Sequence, residues 1–227
     1  MKSFNKLVTL TLSCMMLIVL TACSDQNVAT AKTVVGGMFQ SAYQGKYTES
    51  FLSLTNQTKE QVVNSWALNV EAEANYILDA FTIYGQYDTM APKSLMNSLY
   101  SIFGKLSVEV GEPTKNDDGS YKVPLTFTPI LMGESLGNAA INKVSELSSD
   151  YDDIFNLRSN EQMTVDTILA DALEAELKAF ESNIVWGDEM TMYVTALYTK
   201  NGSQEVWDLD YNEYFAFIEE IINYDFE

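Results

Sequence analysis

The sequence predicts an α+β fold: an antiparallel β-sheet made of two hairpins and covered by helices, with a helical insertion. Three observations carry that expectation. Apolar residues alternate with polar ones from Leu106 to Phe127 around the turn Asn116-Asp117-Asp118-Gly119. The same period returns from Met190 to Leu209 around Asn201-Gly202, a dipeptide whose two members tolerate positive φ and so favour a hairpin. Elsewhere the apolar spacing is that of amphipathic helices. Blocks of helix and blocks of strand, with no regular βαβ alternation, separate this pattern from a parallel α/β sheet.

The first helix is expected from Val28, where Val28, Ala31, Val34, Val35, Met38, Phe39 and Ala42 share one face and Gly45 supplies a left-handed cap. Gly36-Gly37 within it suits close helix packing. A short helix follows at about 47–54. Thr58 and Gln61 then read as a capping box that opens a longer helix through Val62, Trp66, Val70, Ile77 and Phe81. Pro92 falls in the first turn of another helix, at about 91–103.

Within the first hairpin Pro124 has no N–H for a ladder, which puts its strand at a sheet edge or beside a bulge. Helical spacing resumes weakly at 134–148 and strongly at 162–183, where Val165, Leu169, Leu173, Leu177 and Phe180 outline a stripe. In the second hairpin a two-residue Asn201-Gly202 loop pairs Lys200 with Ser203, hence Ala196 with Trp207 and Val194 with Leu209. These four, with Met192, form the expected core face, and Thr195 and Asp208 lie opposite. A last helix spans about 211–222.

The N-terminus has its own logic. Lys2 and Lys6 precede the apolar run Leu7 to Leu20, and small residues lead to Cys23. Basic, apolar, small is the order of an export leader, and the run is short against the roughly 20 residues of a membrane span. Leu20-Thr21-Ala22-Cys23 resembles the lipobox of bacterial lipoproteins, which implies cleavage after Ala22 and lipid on the Cys23 thiol. Two or more acyl chains hold a protein at a membrane where one does not. The expected organisation is a leader at 1–22, a short tether at 23–27 spanning at most about 14 Å, and one domain at 28–227 with the insertion at about 134–183.

Thirteen basic residues face 32 acidic ones, a formal charge of −19, and the sequence contains no histidine. Loss of the leader removes Lys2, Lys6 and no acid, leaving 11 basic residues against 32 acidic, a formal −21. Such a surface repels nucleic acid and anionic polymers, so a partner is expected to be neutral or cationic. Without an imidazole, Ser-His and Cys-His hydrolases are excluded, as are metal sites that need a ring nitrogen. Cys14 leaves with the leader, and a lipidated Cys23 leaves the exported chain no thiol for a disulfide.

Gly45-Lys46-Tyr47-Thr48-Glu49-Ser50-Phe51, Leu54-Thr55, Thr58-Lys59-Glu60-Gln61-Val62 and, near the end, Trp207-Asp208-Leu209-Asp210 resemble small lipoproteins of Gram-positive bacteria. Those carry a cystatin-like or nuclear-transport-factor-like domain of unknown function. The resemblance implies that fold and an extracytoplasmic address. It supplies no catalytic residues.

Asp208, Asp210, Asn212 and Glu219 have the acidic spacing of a calcium loop, but Glu213 stands where the loop needs glycine. Asp210 as the cap of the last helix, with Glu213 completing a capping box, explains them better, and no metal or cofactor is expected. Asp150, Asp152, Asp153 and Glu161 fit calcium still less well and read as an interhelical loop. Trp66, Trp186 and Trp207 are expected in core or rim packing. The functional expectation is a non-catalytic, membrane-anchored module that binds a protein or small molecule. The alternatives are an enzyme using Asp or Glu with Tyr in a sheet pocket, and a structural or adhesive surface protein.

Overall fold

The computed structural model describes residues 16–18, 24–81, 83, 93–147, 151–201 and 204–225. Ala22, Cys23, Pro92, Asp150 and the hairpin loop 202–203 lie outside the described residues. In chain order the elements are β1 (Met16–Ile18), α1 (Ser24–Gln44), α2 (Glu49–Thr55), α3 (Lys59–Ala80), α4 (Lys93–Phe103), β2 (Val108–Val110), β3 (Thr114–Lys115), β4 (Tyr121–Phe127), β5 (Ile130–Leu131), α5 (Gly133–Leu147), α6 (Tyr151–Ser182), β6 (Met190–Asn201), β7 (Gln204–Leu209), α7 (Tyr211–Ile221) and β8 (Ile222–Asn223). The architecture is α+β, with an antiparallel sheet and seven helices among the described residues.

The chain groups into two compact units. The first comprises residues 1–69, 106–129 and 187–222; the second comprises 70–105, 130–186 and 223–227. The second unit takes in α4, α5 and α6.

The first unit holds the sheet, in the order β1-β7-β6-β4-β2, with β3 also on β4. Every pairing in it is antiparallel. Tyr121, Val123, Leu125 and Phe127 of β4, Val194 and Ala196 of β6, and Trp207 and Leu209 of β7 are all buried. Against them pack Phe39 of α1 and Phe217 of α7, the Phe217 ring standing edge-on to Phe39 and Phe127 at 5.7 and 5.1 Å. The opposite sheet face is wetter, with Lys122, Tyr193, Leu197 and Asp208 exposed.

The second hairpin pairs Asn201 with Gln204, Tyr198 with Trp207 and Ala196 with Leu209. The loop is thus one residue later than Asn201-Gly202 implied, and the register moves by two. A shift of two keeps each residue on its face, so Val194, Ala196, Trp207 and Leu209 still share the core side. Met192 on that face is only partly buried.

Pro124 occupies an interior strand, between β2 and β6. The pairing sum changes by one between Val110·Leu125 and Thr114·Lys122, which marks a bulge in the partner strand at 111–113. Gly111 donates its N–H to the Pro124 carbonyl at 2.9 Å, so the nitrogen that lacks a proton faces this interruption and the ladder to β6 is unharmed.

Local signals at the helix ends hold. Thr58 and Gln61 cap reciprocally, Thr58 N to Gln61 Oε1 at 2.7 Å and Gln61 N to Thr58 Oγ1 at 3.2 Å. Thr48 caps α2 through Phe51 N at 3.1 Å. Gly37 faces the Phe51 ring with no room for a Cβ, which is how α1 and α2 approach. At the start of the chain Ser24–Asn27 is helical, and Met16–Ile18 pairs with β7. Helical geometry uses the free carbonyls of residues 24–27 that a tether would leave to water.

In the second unit, α4 buries Leu95, Leu99, Ile102 and Phe103, and α6 buries Val165, Leu169, Leu173, Leu177 and Phe180 at helical spacing. Ser101 of α4 donates to Glu181, and Ser135 of α5 to Glu176, fastening both helices to α6. Asp152 and Asp153 lie in the first turn of α6 rather than in a loop.

Candidate functional site

The first unit contains a cleft of about 160 Å³ between the C-terminal half of α1 and the strand β2. Its walls are Gly36, Phe39, Gln40 and Gln44 of α1, Lys46 just beyond it, and Leu106, Ser107, Val108 and Val110. Gly45, at φ 61°, ends α1 in the left-handed conformation, and Lys46 N–H returns to the Gln40 carbonyl at 3.0 Å. That turn sets Lys46 beside the last turn of α1, whose carbonyls carry partial negative charge. Gln40 and Gln44, four residues apart, present amides on the same helix face.

On the other wall, β2 is the last strand of its sheet. Hydrogen-bonded and non-hydrogen-bonded pairs alternate along an antiparallel ladder. Gly111 bonds to Pro124, so the pair Glu109·Thr126 also faces inward across the ladder. The main-chain groups of Val108 and Val110 therefore point away from β4 toward the free edge. Leu106 has the same parity, and its carbonyl accepts from the Gln44 side-chain amide. A glutamine thus takes the place of a strand partner at one end of the row. Gly36 lets α1 approach Val110 closely, since a Cβ there would lie 2.9 Å from Val110 Cγ2.

Lys46 is the only ionisable side chain on the cleft wall and makes no ion pair among the described residues. No carboxylate lies on this wall. The donors and acceptors suit holding a polar group, and the wall offers no acid and base pair for proton transfer.

The acidic candidates near the chain end are placed differently. Asp210 caps α7, its carboxylate accepting from Asn212 N at 3.0 Å and Glu213 N at 3.2 Å. Asp208 accepts from the next amide, Leu209 N, at 2.9 Å. Glu219 lies nine residues past the cap, about 13 Å along the helix axis at 1.5 Å per residue, so the four do not converge. Glu213 does not complete the capping box. Its carboxylate crosses to Thr195 N at 2.7 Å, while Asp210 N–H donates to Thr195 O at 2.8 Å.

Trp207 is core and packs on Tyr121 and Tyr198. Trp66 donates to the Tyr43 carbonyl at 3.0 Å, and Trp186 is 42% exposed. None of the three lines the cleft. Sequence reasoning missed the cleft residues; the one usable signal was parity, since Leu106, Val108 and Val110 lie on alternate positions of a strand with no partner on its outer side.

No protein-family model matches this sequence. No curated protein matches it either. Among solved structures the fold is similar to that of ycdA, a candidate lipoprotein of Bacillus subtilis, with a TM-score of 0.58 and 19% identity over 88% of this chain and 58% of that one. The chain thus spans less than two thirds of that protein's length.

Proposed function

We propose that this chain is a bacterial lipoprotein, anchored on the extracytoplasmic face of the membrane by lipid on Cys23, whose sheet-bearing unit is a non-catalytic binding module. The observation that carries the reading is the leader, in which Lys2 and Lys6, an apolar run and Leu20-Thr21-Ala22-Cys23 follow in order. Two further facts support it. The structural neighbour is described as a candidate lipoprotein. No helix among the described residues is long and apolar enough to cross a membrane.

The binding role rests on the cleft at α1 and β2, whose wall has hydrogen-bonding groups but no acid and base pair. The order α1, α2, α3 and α4 before the strands β2 to β7 supports the cystatin-like or nuclear-transport-factor-like type. The test is mass spectrometry of the N-terminal peptide from natively expressed protein. A diacylated or triacylated Cys23 is the expected result, and Cys23→Ser should move the protein from the membrane fraction to the soluble one. An unmodified N-terminus beyond Cys23 overturns the anchored reading.

A further inference from the structure

We infer that the cleft is a strand-addition site: it takes the C-terminal end of an extended peptide, which pairs antiparallel with β2 and sets its terminal carboxylate on Lys46. This deepens the binding role proposed above and rests on it only for the choice of site.

Three features converge. The first is the free edge. Val108 and Val110 direct their N–H and C=O groups outward, and among the described residues these groups make no hydrogen bond beyond the strand. An incoming extended chain can bond all of them, which is the source of affinity in strand addition. The second is Gln44, whose amide already occupies the Leu106 carbonyl at one end of that row. A peptide is therefore stopped there and cannot run on along the edge. The third is charge. Lys46 stands at the same end and faces no carboxylate among the described residues, in a protein with a formal charge of −19.

Charge and direction together choose the occupant. The strand β2 runs from the Leu106 end toward Glu112, so an antiparallel peptide finishes at Lys46, where its terminal carboxylate meets the ammonium. One carboxylate on one lysine is compatible with a surface that repels polyanions, because the attraction is local and the rest of the peptide is uncharged. The cleft, of about 160 Å³, takes the last residue or two of a chain with small side chains. The remainder of the peptide lies along the exposed edge.

The probe is the dye-labelled peptide Gly-Thr-Val-Thr-Val-Ala with a free carboxylate, together with its C-terminal amide, added to protein extracted as the cell makes it. Fluorescence anisotropy should show binding of the acid, with the amide about tenfold weaker. Lys46→Gln should erase the difference between the two peptides. Lys46 is exposed, so this variant should keep its thermal transition. Hydrogen exchange should slow at the Val108 and Val110 amides on binding and stay unchanged at Glu109, already bonded to β4. A second variant, Val108→Pro, removes an outward N–H and leaves the β4 ladder intact; it should fold and fail to bind.

Equal binding of acid and amide overturns the inference, as does binding without protection at Val108 and Val110, or no binding at all. Protection of those amides in the absence of peptide, rising with protein concentration, means that a second copy occupies the edge, and the peptide reading falls. The two proposals fail separately. An unmodified Cys23 with peptide binding intact removes the anchor alone, and a lipidated Cys23 without peptide binding removes the strand-addition site alone.

Discussion

The Glu213 carboxylate accepts the main-chain N–H of Thr195 at 2.7 Å, eighteen residues away in sequence. The strand β7 ends at Leu209, one residue short of pairing Thr195, so β6 would be left with an unmatched N–H and C=O there. Asp210 N–H takes the carbonyl and Glu213 takes the amide. The first turn of α7 thus completes the sheet ladder. Glu213→Ala should cost about 1 to 3 kcal/mol, because a partly buried donor loses its acceptor. Glu213→Gln keeps an acceptor oxygen and should cost less. Urea denaturation of both variants measures the difference, and an unchanged midpoint for the alanine variant would show that water replaces the carboxylate without penalty.

Tyr214 of α7 is buried, and its hydroxyl has no hydrogen-bond partner among the described residues. Burial, with a smaller contribution from Tyr211, pushes its ionisation well above the ordinary tyrosine value. The unfolded chain releases this proton near pH 10 while the folded chain keeps it, so above that pH the unfolded state binds fewer protons. Stability from this group is fully present below about pH 10 and then falls by up to about 1.4 kcal/mol per pH unit. Tyr214→Phe keeps the ring against Phe217 and removes the unpaired hydroxyl. It should be as stable as the parent or more so at neutral pH, with a flatter decline in alkali. Chemical denaturation across that range tests both statements.

Gly45 combines a φ of 61° with a Trp66 ring that an added Cβ would meet at 2.5 Å. Gly45→Ala should destabilise by about 1 to 3 kcal/mol, through backbone strain and displacement of the indole. For a chain of this length that corresponds to a Tm lowered by roughly 2 to 4 °C per kcal/mol. The indole's bond to the Tyr43 carbonyl would be disturbed as well. A Tm equal to the parent's contradicts this account.

The capping box of α3 gives a smaller effect. Thr58→Ala removes the acceptor for Gln61 N–H and should cost about 0.5 to 2 kcal/mol. Gln61→Ala removes the reciprocal bond. The two losses should couple in a double-mutant cycle, because each side chain holds the other residue's amide. Additive losses would mean that the two bonds act independently.

Legibility in the sequence followed the range of the interaction. Thr58 and Asp210 were readable because each satisfies an amide within three residues, and Gly45 because a helix C-terminus often needs a left-handed residue. The Asn116 to Gly119 turn was readable for the same reason, with Gly119 at φ 89° and Asp118 accepting from Ser120. The stripe of α6 was readable because one face from Val165 to Phe180 meets a core. Hairpin register was half readable. The core face of Val194, Ala196, Trp207 and Leu209 emerged correctly, yet Asn201·Gln204 rather than Lys200·Ser203 closes the hairpin. Alternation fixes parity and leaves shifts of two undetermined.

The sequence by itself determined the helix caps, the two hairpins, the core face of the sheet, the acidic charge and the basic, apolar, small order of its first residues. All of these arise from neighbours along the chain or from plain composition. Tertiary structure alone decided that Glu213 serves β6 instead of its own helix, that Pro124 can sit inside a sheet opposite a bulge, and that residues 70–105 join 130–186 in one unit. It also decided the cleft, which brings Gly36 to Lys46 against Leu106 to Val110, some sixty residues later in the chain. Such features depend on where a donor or a void ends up in space. Hydrogen bonds and packing act over a few ångströms whatever the sequence separation, and no local period records which distant segments will meet.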